Sequence, residues 1–178
     1  IDVFLEPISS ESYDSLSSEV KNKTGEWKSE GGYNEIYFNP AHNVSPYECK
    51  VWDELEFNPF SIQKVRYAAN FLINRSKVVD EFYEGHGEPR YLPFSKSSPA
   101  YDDHYEKMVE ENRFTPEGDK NKGKEMIKQA LYSAMNDTSL KGELKPPDNS
   151  SKYWRYKPPS GDFDNIEVKG VIRIEDQR

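Results

Sequence analysis

Apolar and polar positions along this chain change period several times, and each change marks an element. Ile1-Asp2-Val3-Phe4-Leu5 is a strand-like run stopped by Pro7. Ser9 through Asn22 carries Tyr13, Leu16 and Val20 at i, i+3 and i+7 behind a capping Ser9 or Ser10, which predicts a polar helix. Glu26-Trp27-Lys28 and Tyr33 to Asn39 alternate as strands do, on either side of the turn pair Gly31-Gly32, and Pro40 ends the second. Residues 41 to 60 read as an excursion with one short strand around Val51 to Phe57. From Ser61 the period becomes helical: Ile62, Val65, Ala69 and Leu72 or Ile73 share one face, and Val78, Val79, Phe82 and Tyr83 form a second one that Gly85 and Gly87 end.

Residues 88 to 100 are a proline-punctuated, aromatic loop, and a third helix is predicted over Tyr101 to Asn112. The clearest amphipathic helix has Met126, Ile127, Ala130, Leu131, Ala134 and Met135 on one side and Lys124, Glu125 and Lys128 on the other. Gly142 to Asn165 reads as loop around one short strand at Tyr153-Trp154-Arg155-Tyr156. Ile166 to Ile174 carries a strong strand signal. A chain that opens and closes on strand-like runs predicts a piece of a larger sheet. The expected fold class is α/β, a mixed sheet flanked by helices, with residues 1–178 forming a single domain.

Composition narrows the function. The 178 residues suit one domain. A net charge of −8 argues against nucleic acid or anionic lipid as partner. Apolar residues are only 34% of the chain, but aromatics at 13% supply large burial areas and argue against disorder. Five Asn-x-Ser/Thr sequons, at Asn22, Asn43, Asn74, Asn136 and Asn149, exceed the about 1.4 that chance placement gives, and lean toward life outside the cytoplasm.

Candidate chemistry is sparse. The single Cys49 offers no disulfide and no multi-cysteine zinc site, and the three histidines, at 42, 86 and 104, stand too far apart in sequence to pair on one helix face. Glu110-Glu111 and Glu175-Asp176 read as solvated faces rather than an acid and base pair held in a cleft. No nucleophile elbow, phosphate loop or dinucleotide fingerprint occurs. No enzyme, cofactor or metal site is therefore expected. What stands out is aromatic side chains in loops: Tyr33 beside the double glycine, Tyr91 in the proline loop and Trp154 in the late loop. Core packing competes as their explanation, but rings with a polar handle are also economical platforms for a ligand, and these three are the expected binding residues.

The residues become specific between Pro59 and Pro89. Gly32-Tyr33, Tyr37-Phe38-Asn39, Asn58-Pro59-Phe60-Ser61, Val65-Arg66-Tyr67-Ala68, Ile73-Asn74-Arg75, Val78-Val79 and Tyr83 followed by Gly85, Gly87 and Pro89 at alternate positions together resemble the family 5 extracellular solute-binding proteins of ABC transporters. That group includes oligopeptide-, dipeptide- and nickel-binding proteins. The similarity covers about residues 1 to 136. It departs from the family pattern in an insertion from about Ala41 to Glu56 and in the loop Tyr153 to Pro159.

The resemblance implies one lobe of a two-lobed periplasmic-binding-protein-like fold, most of the second lobe excised from a longer chain. It also implies a receptor that captures peptides or another small solute and hands them to ABC permease subunits. The missing first lobe of the same chain is an implied partner, and the setting is extracellular or periplasmic, membrane-associated through the parent protein. An oligosaccharide receptor of the same family, or a cell-surface structural domain that has lost its ligand, are the alternatives.

Overall fold

The computed structural model describes residues 10–23, 33–92, 99 and 101–171. The chain divides into two compact units, one drawn from residues 1–37 and 69–123 and the other from 38–68 and 124–178. The expected run Ile1 to Leu5, and the pair Glu26 to Lys28, lie outside the described residues.

In the first unit the expected helix over Ser9 to Asn22 is two short ones, α1 (Ser10–Asp14) and α2 (Ser18–Lys21). Serine explains the break. Ser15 Oγ donates to the Ser12 carbonyl at 2.7 Å, and Ser17 in an extended conformation accepts from the Val20 N–H, so hydroxyls that could sit along one helix instead end and restart it. Tyr33 to Asn39 was expected as a strand and is irregular among the described residues. Its alternation finds no partner ladder, and a strand exists only by pairing.

Helices α3 (Gln63–Leu72) and α4 (Arg75–Phe82) reproduce the predicted pair, with the junction at Asn74. The Asn74 side chain accepts from the Lys77 N–H at 2.8 Å, and the Pro116 carbonyl accepts from Arg75 N at 2.7 Å and Ser76 N at 3.2 Å, so the first turn of α4 leaves few donors unmet. Asn74→Ala is expected to cost about 1 kcal/mol of stability, read as a lower midpoint in urea at unchanged slope. Gly85, at a φ of +79°, takes the chain away from α4 as its sequence position predicts, while the chain beyond it brings the Gly87 Cα against Val79 and Tyr83.

The third predicted helix is a π-helical turn at Tyr101–Tyr105 running into α5 (Glu106–Asn112), closed by Arg113 in the left-handed conformation. Phe71 from the end of α3, fully buried, packs its ring 5.1 Å from that of Phe114 and gives this unit its aromatic centre. The expected Leu72 is instead half out in solvent.

The second unit is built on α6 (Lys120–Met135) from Lys124 onward: Ala130, Leu131 and Ala134 on its predicted face are buried, and Leu131 and Ala134 join Phe57, Leu144 and Tyr156 in one apolar core. Two small antiparallel sheets supply the rest. Strands β1 (Glu48–Val51) and β2 (Glu54–Phe57) form a hairpin, and β3 (Glu143–Lys145), β4 (Arg155–Lys157) and β5 (Asp164–Asn165) form a three-stranded sheet in the order β3-β4-β5. The α/β class therefore stands, with helices beside small sheets, and every strand pairing among the described residues is antiparallel. The segment expected to hold one strand between Gly142 and Asn165 holds three.

By contrast, Ile166 to Val171, the described part of the strongest strand signal, joins no ladder, and Val171 is 98% exposed. Its pattern is that of a strand whose neighbour these residues do not provide. Asn58 ties the unit's loops together. Its Oδ1 accepts from Phe60 N at 3.0 Å, and its Nδ2 donates to the Asn39 and Ala41 carbonyls at 3.0 and 2.8 Å.

Candidate functional site

The three expected ligand contacts fall in different settings. Tyr33 precedes an irregular stretch of the first unit, 49% exposed, and its neighbour Asn34 donates its side-chain amide to the Tyr83 hydroxyl. Trp154 belongs to the second unit. It packs against that unit's apolar core and meets the Tyr132 ring edge-on at 5.1 Å. Tyr91, in the first unit, is the one that sits on a cavity.

That cavity, about 350 Å³, is lined by Glu88, Pro89, Tyr91, Tyr101, Tyr105, Val109 and Pro116. Local sequence explains its walls. Tyr101 and Tyr105 are one turn apart at the start of the third helix, so their rings stack at 4.6 Å and 14°. Pro89 and Pro116 come from two loops on the cavity's rim, Pro116 inside the turn closed by the bond from Gly118 N to the Thr115 carbonyl. Tyr105 fixes the approach of the loop, its hydroxyl accepting from Tyr91 N at 3.2 Å.

The Tyr91 ring is already engaged. It stacks on Phe114 at 5.0 Å and 15°, and the Arg75 guanidinium carbon lies 4.2 Å from its centroid. Arg75 is in turn locked by its own donors: Nε to the Arg90 carbonyl at 2.8 Å, Nη1 to the Asn70 carbonyl at 3.0 Å and Nη2 to Asn70 Oδ1 at 2.8 Å. Burial pulls the Arg75 pKa down and the phenols of Tyr91 and Tyr105 up. The arginine charge beside Tyr91 opposes the rise there, and burial wins. Tyr91 therefore remains a neutral O–H donor at physiological pH.

The Tyr91 hydroxyl is the exceptional group. It is buried and has no hydrogen-bond partner among the described residues, an arrangement that costs a folded chain unless something else uses the donor. The cavity can thus seat an apolar, ring-sized group against the tyrosine rings, with the Tyr91 donor buried in its wall. Of the cavity's aromatic residues sequence reasoning had named Tyr91, and it had not named Tyr101, Tyr105 or the neighbouring Arg75 as site residues. The four-residue spacing of the two tyrosines carried the signal for the stack. Nothing in the spacing of Arg75 and Tyr91 announces their contact.

Among the described residues no group of three or more His, Cys, Asp or Glu side chains could hold a metal ion, and no helix is long and apolar enough to cross a membrane. Residues 1–164 match the family model described as bacterial extracellular solute-binding proteins, family 5 Middle. No curated protein matches the chain.

Proposed function

The chain belongs to the family 5 bacterial extracellular solute-binding proteins, and from that premise we propose that it captures peptides outside the cell for import. Family membership makes it a solute-binding component of an ABC import system that works with a membrane permease, and the family as a rule binds solutes without transforming them. Peptide as the cargo is our reading. The observation that carries it is Tyr91 on a tyrosine- and proline-lined cavity, its buried hydroxyl without a partner among the described residues. A peptide supplies both things this site lacks: a side chain for the apolar walls and a carbonyl oxygen for the donor.

Tyr91 is the proposed primary contact, through its hydroxyl rather than its engaged ring face. Tyr33 is proposed to offer an exposed ring, and Trp154 the part of its indole that the core leaves uncovered. We further propose that residues 1–178 act as one lobe of a two-lobed receptor. A ligand can favour the closed form only through contacts it makes better there, so such a lobe alone would bind weakly.

Titration calorimetry of the full-length receptor with a mixed peptide pool tests the cargo; heat from oligosaccharides alone would overturn it. Tyr91→Phe isolates the hydroxyl. The variant is expected to bind peptide roughly 5- to 10-fold more weakly, the worth of one hydrogen bond. The unliganded protein should be as stable as the parent or slightly more so, since a buried donor without a partner has gone. Unchanged peptide affinity would remove Tyr91 from the site.

A further inference from the structure

The β1–β2 hairpin spans Glu48 to Phe57. Its register pairs Glu48 with Phe57 and Val51 with Glu54, leaving the two-residue loop Trp52-Asp53. Such loops need positive φ and are ordinarily filled by Asn, Asp or Gly. Here the position is taken by Trp52 at φ +58°, a left-handed conformation that the indole-bearing residue adopts at a cost. The same side chain is 94% exposed, with Val51 beside it 38% exposed. Trp52 thus combines a strained backbone with the largest apolar side chain left in water among the described residues, and within this unit neither is repaid by packing.

The stem beneath the tip is firmly held. Glu48 at the start of β1 is fully buried, Phe57 at the end of β2 is in the core, and Lys50 N donates to Asn43 Oδ1 at 2.8 Å. The tip is acidic. Lys50 Nζ lies 3.4 Å from Asp53, and Glu54 and Glu56 add two further carboxylates along β2. A rigid stem presenting a pre-set tryptophan is the form of an interface anchor, because it loses little freedom on docking and buries a large ring. Acidic flanks exclude an anionic membrane surface or a nucleic acid and call for a basic rim on the partner.

We propose that Trp52 is the anchor by which this receptor docks on the outer face of its permease, seated in an apolar pocket rimmed by Lys or Arg. The proposal rests on family membership and not on peptide as the cargo. The test uses the full-length receptor and its permease in lipid nanodiscs, with affinities measured by interferometry with and without the mixed peptide pool. Trp52→Asn gives the turn a residue it favours, so the variant should melt at or above the parent temperature and bind solute within twofold of the parent. It should bind the permease at least tenfold more weakly. A second variant, Asp53→Lys with Glu54→Lys, leaves the indole in place; it should also dock more weakly, and the salt sensitivity of docking should fall.

Parent-like docking by Trp52→Asn overturns the proposal. So does a loss confined to solute affinity, which would place the indole in the solute site. So does equal binding of parent receptor to nanodiscs that hold no permease, lost in Trp52→Asn, which would make the tip a lipid anchor.

Discussion

Glu48→Ala lowers the stability of the chain by about 3 to 5 kcal/mol, seen as a shift of the urea midpoint. The carboxylate is 0% exposed and is surrounded by donors. Oε2 accepts from Ser45 Oγ at 2.6 Å; Oε1 accepts from the Tyr156 hydroxyl at 2.5 Å and from Gly142 N at 2.7 Å; Lys141 N reaches both oxygens, at 3.1 and 2.9 Å. Removing it strands two backbone N–H groups and a phenol in the interior, and it is the stranded donors rather than the lost acceptor that set the size of the effect.

Burial is the largest influence on the Glu48 pKa and pushes it up, but the bonds from Ser45, Tyr156, Lys141 and Gly142 together outweigh it and leave the value below the usual 4.5. A carboxylate whose folded pKa is depressed adds stability that is fully present above the unfolded value and is lost as pH falls through the folded one. The gap between parent and Glu48→Gln is therefore expected to be widest at neutral pH and to narrow as the pH is taken below about 4.5. A gap that held constant down to acid pH would mean that the carboxylate is protonated in the fold. Tyr156, buried against that charge, is held well above the normal phenol range and so keeps its proton for the bond.

Gly118→Ala is the second large effect, expected at about 3 kcal/mol or more. Gly118 joins α5 to α6 at φ +73°, and a β-carbon there would stand 2.6 Å from the Phe71 carbonyl oxygen and 3.0 Å from that of Ile73. Both are backbone atoms and cannot swing aside. The Phe71 carbonyl is also the acceptor for Asp119 N at 2.8 Å, and Asp119 Oδ1 receives Lys122 N at 2.9 Å, so a shift to relieve the clash would loosen the start of α6. Gly85→Ala is the matched control. Its φ is +79° but the space around it is open, so it pays the left-handed penalty alone, about 1 to 2 kcal/mol. Equal losses in the two variants, measured by chemical denaturation, would show that crowding at Gly118 contributes nothing.

The elements legible in the sequence were those that carry their own local signals. The pair α3 and α4 combined helical spacing with a capping asparagine at the junction, α6 had an unbroken apolar face, and Gly85 marked an exit that only a left-handed residue makes easily. The same strings of residues carried the family resemblance. Elements set by partners were not legible. Tyr33 to Asn39 and Ile166 to Val171 alternate like strands but have no ladder among the described residues, whereas β3, β4 and β5, of three, three and two residues, are too short to show a period and exist because they pair.

The turn at Trp52-Asp53 lacks the glycine or asparagine that announces a hairpin. Glu48 lies in the excursion read over residues 41 to 60, ahead of its one expected strand, and only the donors assembled around it from Lys141, Gly142 and Tyr156 explain its burial. At the candidate site, loop aromaticity singled out Tyr91, but its contacts with Arg75 and Phe114 are a property of three-dimensional neighbours that spacing does not encode.

The cluster at Glu48 also fixes an order of events at the ribosome. Apart from the local Ser45, its donors follow it in the chain by 93, 94 and 108 positions, and all of residues 69–123 are synthesised in the interval. The unit made of 1–37 and 69–123 is complete when residue 123 emerges, while the unit that starts at Phe38 still waits for β3 and β4. The first unit therefore has all of its residues while the root of the hairpin still waits for Lys141, Gly142 and Tyr156. Closing so long a loop is slow compared with local contacts, which makes the joining of β1 to the distal sheet the natural rate-limiting step, and the interval before it the period when the nascent chain most needs protection from aggregation.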